Sequence, residues 1–235
     1  MSESIDTRIT PSLHPINVRE LDGYDSETSG ILGMTEGAFA NAYEQLGKVY
    51  DACEAVRADP TLTEAAALVK AQDYADRVLT GIAQRFDRAA DNLKTIVASI
   101  ETELSAPVES KASNSLSAEI RAYCKSLPEG ERMSFVRQAI TDGDTRSATA
   151  ILGAPAYLSG INAGMQSILT RMFHEHHEPL KAKRLKAAKA GLGLIGERAG
   201  LVFSQLQQAV GADHKKVARY RAAAAKTAKA FAPDT

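Results

Sequence analysis

The densest group of side chains that could do chemistry is the run HEHHE at residues 174–178. On a helix, His174, His177 and Glu178 would share a face, and imidazole and carboxylate groups are ligands for a divalent metal ion. The run is not the H-E-x-x-H signature, because position 178 is glutamate. No second histidine or acidic cluster can be paired with it by spacing. We therefore predict a solvated charged turn before Pro179 and no metal site. A metal-dependent enzyme centred on this run remains the third and least favoured hypothesis for the function of the chain.

A glycine motif follows at residues 191–196, where GLGLIG matches the pattern G-x-G-x-x-G of dinucleotide-binding sites. Such a site needs a strand before the glycines, whereas residues 181–190 form a basic stretch with a helical pattern. We interpret Gly196 and Gly200, four residues apart, as positions where another helix approaches closely or where the chain bends.

The run DGDT at residues 142–145 is similar to the start of a calcium-binding loop, but the next ligand position holds Arg146 and no glutamate closes the twelve-residue frame. A turn that caps a helix explains it better. The pattern G-x-S-x-G does not occur, and no serine or cysteine can be paired with a base. The sequence therefore predicts no catalytic residues, no cofactor-binding residues and no cofactor.

Lysines and arginines near the C-terminus form two clusters, which are the candidate binding residues. They are Lys181, Lys183, Arg184, Lys186 and Lys189 in the first cluster, and Lys215, Lys216, Arg219, Arg221, Lys226 and Lys229 in the second. In the second cluster small alanines separate the cations, so the helix could lie flat on an anionic surface. That surface could be an acidic protein or the phosphates of a nucleic acid; a solvated helix with no partner is the remaining alternative. A single aromatic, Tyr220, gives poor support for base stacking, and the helix is too weakly apolar to bind a membrane strongly.

The net charge of −1 hides a division along the chain. Residues 1–180 carry 16 basic and 26 acidic side chains, a net charge of −10, whereas residues 181–235 carry 12 basic and 3 acidic side chains, a net charge of +9. Such asymmetry indicates an anionic partner for the tail, or docking of the tail on the acidic part of another copy.

Composition favours an all-α fold. Aromatics make up 6% of the chain, tryptophan is absent, alanine is abundant, and no run alternates β-branched with polar residues. We interpret Cys53 and Cys124 as free thiols in a reducing compartment. The N-terminus does not resemble a secretory signal, and no 18-residue apolar stretch exists to span a membrane.

One stretch, Thr61 to Leu104, predicts a helix roughly 60 Å long at 1.5 Å per residue. Apolar residues recur along it at alternating spacings of four and three, which marks a bundle or coiled-coil face that other helices must cover. We expect this seam to join copies of the chain through Leu79, Ile82, Phe86, Leu93, Ile96 and Ile100. A preceding helix at Thr35–Ala58 stops at Asp59-Pro60 and should fold back on the long helix as an antiparallel hairpin.

The remaining chain divides into segments of different character. Residues 1–33 contain prolines, glycines and thinly spread apolar residues, typical of a flexible arm that orders on a partner or of plain disorder. The expected segments are a flexible N-terminal arm at 1–33, the long helical hairpin at 34–104, a cluster of short helices at 105–160, a long kinked helix that packs on the hairpin at 161–211, and a basic C-terminal helix at 212–235. Pro179 should kink or interrupt the long helix at 161–211. The predicted fold is thus an elongated all-α bundle of two long antiparallel rods with short helices between them.

Residues 142–161, DGDTRSATAILGAPAYLSGI, resemble a segment of uncharacterised helical proteins of tailed bacteriophages and prophages. There a short helix that ends in a similar Ala-Pro-x-x-Leu-Ser-Gly turn lies mid-chain. The resemblance covers about twenty residues and implies a virion or assembly component, located in the virion or the host cytoplasm. The layout of a helical rod with a basic terminal helix is also similar to that of phage scaffolding proteins, whose basic helices dock on acidic coat surfaces.

The leading hypothesis is a non-enzymatic structural or assembly protein, a coiled-coil-like homo-oligomer that contacts other virion or assembly proteins through its helix seam and charged ends. The alternative is a nucleic-acid-binding accessory protein that uses the basic C-terminal region.

Overall fold

The computed structural model describes residues 6–212 and 214–230, with side chains up to residue 227, and this part of the chain contains helices and no strand. The all-α prediction is confirmed. Short 3-10 helices lie at Pro11–Leu13 and Ala156–Leu158. The α-helices are α1 (Ile16–Arg19), α2 (Ser29–Ala58), α3 (Glu64–Leu104), α4 (Asn114–Ser126), α5 (Glu129–Thr141), α6 (Thr145–Leu152), α7 (Ala163–His177), α8 (Pro179–Arg198), α9 (Leu201–Val210) and α10 (His214–Ala230).

Local side-chain chemistry sets several helix starts. The Thr63 hydroxyl accepts a hydrogen bond from the Ala66 amide at 3.3 Å before α3, and the Asp144 carboxylate accepts one from the Ser147 amide at 3.1 Å before α6. The capping interpretation of residues 142–145 is thereby confirmed.

Residues 161–211 form three helices and not one kinked helix. Of the two effects predicted for Pro179, a kink or an interruption, the structure has the interruption. Pro179 lacks an amide hydrogen and so stands at the first position of α8, while Glu178 ends α7. A second break separates α8 from α9 at Ala199-Gly200.

The chain forms two compact units. Unit 1 contains the described residues up to Lys94 and those from Ala187 onward, and unit 2 is Thr95–Lys186. Both divisions fall inside helices, one in α3 and one in α8. The predicted segment boundaries near residues 33, 104, 160 and 211 are therefore not the boundaries of compact units.

In unit 1, α2 runs antiparallel to the first part of α3. The rings of Phe39 and Phe86 meet edge to face with centroids 5.0 Å apart, and Cys53 near the end of α2 lines the same cavity as Leu68 near the start of α3. The Gly191 backbone of α8 lies so close that an added Cβ would stand 2.8 Å from Leu32 Cδ2. The predicted hairpin is present, and the close approach occurs at Gly191.

The expected oligomer seam lies in the interior of this chain. Ile82, Phe86 and Leu93 are 0–3% exposed in unit 1, and Ile100 packs with Leu104 and Leu185 in unit 2. The other two seam residues, Leu79 and Ile96, are half-buried. Because the chain's own helices already bury most of the seam, we correct its assignment from a contact between copies to the core of one copy.

The described part of the predicted arm is ordered. Ile9, Leu13 and Val18 are 0–3% exposed in unit 1. The Asp6 amide donates to the Tyr43 hydroxyl at 2.8 Å, and Arg198 donates to the Ser12 carbonyl at 3.1 Å. The prediction of a flexible arm is wrong for residues 6–33, because apolar burial and these bonds hold them; residues 1–5 lie outside the described residues.

Unit 2 contains the predicted short helices α4, α5 and α6 together with α7. Its core includes Cys124, Val136, Ile140, Ile151 and Leu169, each 0–2% exposed. Arg132 joins the connection between α4 and α5 to the turn before α7. Its guanidinium donates to the Leu127 carbonyl at 3.0 Å and to the Gly160 carbonyl at 2.6 Å.

The ordered N-terminal segment predicts that Leu13→Ala destabilises the protein by about 2–5 kcal/mol, since it leaves a cavity at a fully buried position. Ile16→Ala, three residues away and 43% exposed, is the matched control and should cost less than about 1 kcal/mol. Urea unfolding measures both. Equal small effects would mean that the segment does not contribute to the core.

Gly153 provides a second test, in unit 2. A Cβ at this position would lie 2.7 Å from the Val108 carbonyl oxygen and 2.9 Å from the Ser110 amide nitrogen, so backbone would have to move. We expect Gly153→Ala to lower the melting temperature and to cost roughly 1–3 kcal/mol. Gly130→Ala, in a helix with open space around it, should be neutral or stabilise by up to about 1 kcal/mol. A neutral Gly153→Ala would contradict this close packing.

Candidate basic interface on the C-terminal helix

Helix α10 carries the second predicted basic cluster and is anchored by one apolar residue. Gly211, at φ +73°, ends α9 in the left-handed conformation that glycine adopts without strain, and α10 begins at His214. Val217 is fully buried, whereas most of its neighbours along α10 are exposed or half-buried lysines, arginines and alanines. The helix therefore has an inner face centred on Val217 and an outer face in solvent.

Two of the predicted binding residues pair with acidic residues of α3 in the same chain. Lys216 Nζ lies 3.2 Å from Glu64 Oε1, and Arg221 Nη2 lies 3.0 Å from Asp76 Oδ2 and also contacts Asp73. The expectation that the tail docks on the acidic part of another copy is thus corrected for these two cations.

The contact with Arg221 contributes to a lowered pKa of the Asp76 carboxylate. Burial alone would raise its pKa, but a 2.7 Å hydrogen bond from Gln72 and the guanidinium of Arg221 outweigh burial, so its pKa lies below the usual value. A lowered folded-state pKa gives stabilisation that is present above the unfolded value of about 3.9 and is lost as pH falls through the folded value. At neutral pH the contact is therefore fully charged.

The outer face of α10 presents a row of cations, which we call the basic row: Lys215, Arg219 and Lys226. Their spacings of four and seven place them on one stripe, and all three are exposed, with no ion pair to another described residue. The alanines between them do not obstruct a flat partner. Lys229 lies within α10 three residues further on, but its side chain lies outside the described residues.

A groove runs between α3 and α10 next to the basic row. Its volume is about 600 Å³, and small apolar side chains from both helices line part of it. Three charged residues of α3 also line it: Lys70, Arg77 and Asp73, whose carboxylate contacts Arg221. The apolar wall residues are Ala65, Ala66, Val69, Ala223 and Ala224.

The first predicted basic cluster is used within the chain. Lys181 Nζ lies 2.6 Å from Glu103 Oε2 and also contacts Glu178, and these carboxylates raise the pKa of Lys181. Each of the remaining lysines, Lys183, Lys186 and Lys189, takes part in a polar or electrostatic interaction. Arg184 is half-buried, and its Nε has no hydrogen-bond partner among the residues that the structure describes. This cluster is not an open cationic surface like the basic row.

The histidine run does not form a metal site in the described part of the chain. His174 Nε2 lies 2.8 Å from the Ala106 carbonyl oxygen, and the His177 ring stacks on Phe173 with centroids 4.1 Å apart. No three His, Cys, Asp or Glu side chains converge among the described residues.

The glycine motif at residues 191–196 lies inside α8, where it cannot form a nucleotide-binding loop. Gly191 is the tightly packed glycine, whereas Gly196 and Gly200 have open space where a Cβ would stand. The close-approach interpretation of Gly196 and Gly200 is therefore wrong, whereas the alternative, a bend in the chain, agrees with the position of Gly200 at the break between α8 and α9.

The fold and this surface define an all-α protein with a basic C-terminal helix docked on an acidic helix. None of its described helices is both long and apolar enough to cross a lipid bilayer. A scan against protein-family models, a search of curated proteins and a search of solved structures each found no match to this chain.

The docking geometry predicts that burial, and not the surface ion pairs, holds α10 in place. Arg221→Ala should change stability by less than about 1 kcal/mol, because the guanidinium and its partners are 40–50% exposed. Val217→Asp should release α10, because it places an unpaired charge in a buried position at a cost of roughly 3 kcal/mol or more. Hydrogen exchange of the α10 amides measures the difference, and faster exchange in Arg221→Ala than in Val217→Asp would refute it.

Proposed function

We propose that this chain is a non-enzymatic interaction protein with a role in assembly, which binds an anionic surface of a partner protein through the basic row. The observation that carries the proposal is the orientation of Lys215, Arg219 and Lys226. They project from a helix whose inner face is anchored by the buried Val217, so they are available without any rearrangement of the fold.

The groove beside the basic row favours a helical protein partner. Alanines on both walls allow close approach of a third helix, whose apolar face would enter the groove. Carboxylates flanking that face would pair with Lys70 and Arg77 in the groove and with the basic row outside it, while the groove's own carboxylate, Asp73, is already paired with Arg221. The preferred partner is thus an acidic amphipathic helix.

The assembly role draws on the resemblance of residues 142–161 to tailed-phage proteins, and we propose other virion or assembly proteins as the source of the acidic helix. Contacts between copies of this chain would not use Ile82, Phe86 and Leu93, since these residues are already buried within one copy.

Nucleic acid is the second candidate partner. The observation that favours it is the concentration of exposed cations among small alanines on the outer face of α10, which suits a regular array of phosphates. A duplex would contact the basic row and would leave the apolar groove unused, so the two candidates differ in what they require of α3.

The proposal predicts that reversing the basic row abolishes binding to an acidic helix. The triple variant Lys215→Glu, Arg219→Glu, Lys226→Glu should bind a fluorescent Glu/Ala/Leu amphipathic peptide at least about tenfold more weakly, a loss of about 1.4 kcal/mol. Added salt should weaken binding of the unchanged protein. Fluorescence anisotropy, with a random-sequence DNA duplex as a second probe, measures both.

The matched control is Lys111→Glu, Arg137→Glu, Arg146→Glu, which makes the same change in net charge at exposed positions of unit 2. It should leave peptide affinity nearly unchanged. If both triple variants lose the same affinity for the peptide, the effect comes from net charge alone, and the proposed interface is refuted. If the protein binds the duplex tightly and salt-dependently but does not bind the peptide, the proposal of a protein partner is refuted and nucleic acid is the partner that the data support.

A further inference from the structure

Unit 1 contains a cavity of about 380 Å³ where the end of α2, the start of α3 and the turn between α9 and α10 meet. This volume lies within the range of roughly 300–1,000 Å³ that small-molecule sites occupy. The cavity differs from the groove beside the basic row, because no residue lines both.

The interior of this cavity is apolar. Cys53, Leu68, Ala71 and Val210 line it and are 1–9% exposed. Burial raises the pKa of the Cys53 thiol, so the sulfur is neutral and behaves as a small apolar group. Such walls suit a short hydrocarbon chain and offer little to a fully polar ligand.

A fixed cation stands in the wall of the cavity. Arg57 Nη2 donates to the carbonyl oxygens of Ala209 at 2.6 Å and Val210 at 3.0 Å, which satisfies the C-terminal end of α9. A Cβ on Gly211 would stand 3.0 Å from the same nitrogen, so a glycine there leaves room for the guanidinium. These contacts hold Arg57 in one position before any ligand arrives.

The guanidinium of Arg57 still has N–H donors that could bind a ligand. Nε and Nη1 of Arg57 make no hydrogen bond to the described residues, and an arginine side chain has five N–H donors in a planar fork that matches a carboxylate. The other two charged residues of the cavity wall, Lys216 and Glu64, lie 3.2 Å apart and neutralise each other. Arg57 itself is exposed, so one net positive charge stands in the solvent-facing part of the wall, beside the apolar interior.

We infer that this cavity binds a small amphipathic monoanion, a medium-chain carboxylate, with its hydrocarbon chain against Cys53 and Leu68 and its carboxylate on Arg57. The inference does not depend on the basic row or on the proposed partner.

Isothermal titration of the full chain with sodium octanoate tests the inference, with 1-octanol as an uncharged probe of the same chain length. Octanoate should bind saturably and more tightly than octanol. Arg57→Gln should weaken octanoate binding at least about tenfold, because it removes the cation that pairs with the carboxylate, and should leave octanol binding unchanged. Arg88→Gln, at an exposed position of α3 that does not line the cavity, is the control and should change neither affinity.

A second variant fills the cavity. Ala71→Phe should remove binding of both probes while the melting curve stays cooperative; if that variant fails to fold, the smaller Ala67→Met replaces it, since Ala67 lines the same cavity. The charge-reversed basic row should bind octanoate normally, which separates failure of this site from failure of the proposed function. The inference is overturned if octanoate does not saturate at millimolar concentration, or if Arg57→Gln binds it as the unchanged protein does.

Discussion

The apolar stripe of α3 has to be removed from water, and the arrangement of unit 1 depends on that constraint. Ile82, Phe86 and Leu93 are almost fully buried, and each large side chain of this kind contributes about 1.5–3 kcal/mol when it leaves water. An exposed ion pair contributes about 0–1 kcal/mol. The antiparallel course of α2 and the close approach of Gly191 to Leu32 both follow from covering this stripe, whereas the charged contacts of α10 add orientation to a helix already held by Val217.

Local signals in the sequence were sufficient for the helices themselves. The spacing of apolar residues located α2 and α3, the turn at residues 142–145 marked the start of α6, and Pro179 marked the interruption between α7 and α8. These features depend on neighbours within about four residues, which is the range over which helix periodicity and capping act.

Tertiary relations were harder to predict, for a physical reason. Periodicity shows that one face of a helix is buried but does not show whether the same chain or another copy covers it, so the α3 seam was assigned to the wrong partner. The N-terminal segment was missed because Leu13 and Val18 lie in elements of three and four residues, too short for a periodic pattern. Their order comes from contacts with residues far away in the sequence, such as Arg198 with Ser12.

The candidate site shows the same limit and one signal that sequence reasoning had passed over. Residue type identified the cations of α10, but only the fold brings Arg221 beside Asp76, 145 positions away. Val217, the one large aliphatic residue of α10, nevertheless fixes which face points inward. Lys215, Arg219 and Lys226 are spaced by four and seven residues and lie on the opposite stripe. Helical geometry alone therefore predicts that they point outward.

The basic row is not explained by the stability of the fold. Like charges four residues apart, as at Lys215 and Arg219, destabilise a helix by about 0.2–0.5 kcal/mol. Lys216 and Arg221 offset their charge against acidic residues of α3, and Arg57 directs its charge at the last carbonyls of α9, so these cations each have a role in folding. The cations of the basic row have no such partner among the described residues, and alanine at those positions would form a better helix. A surface that costs stability and is kept rigid by Val217 beneath it is what a binding site for an anionic partner requires.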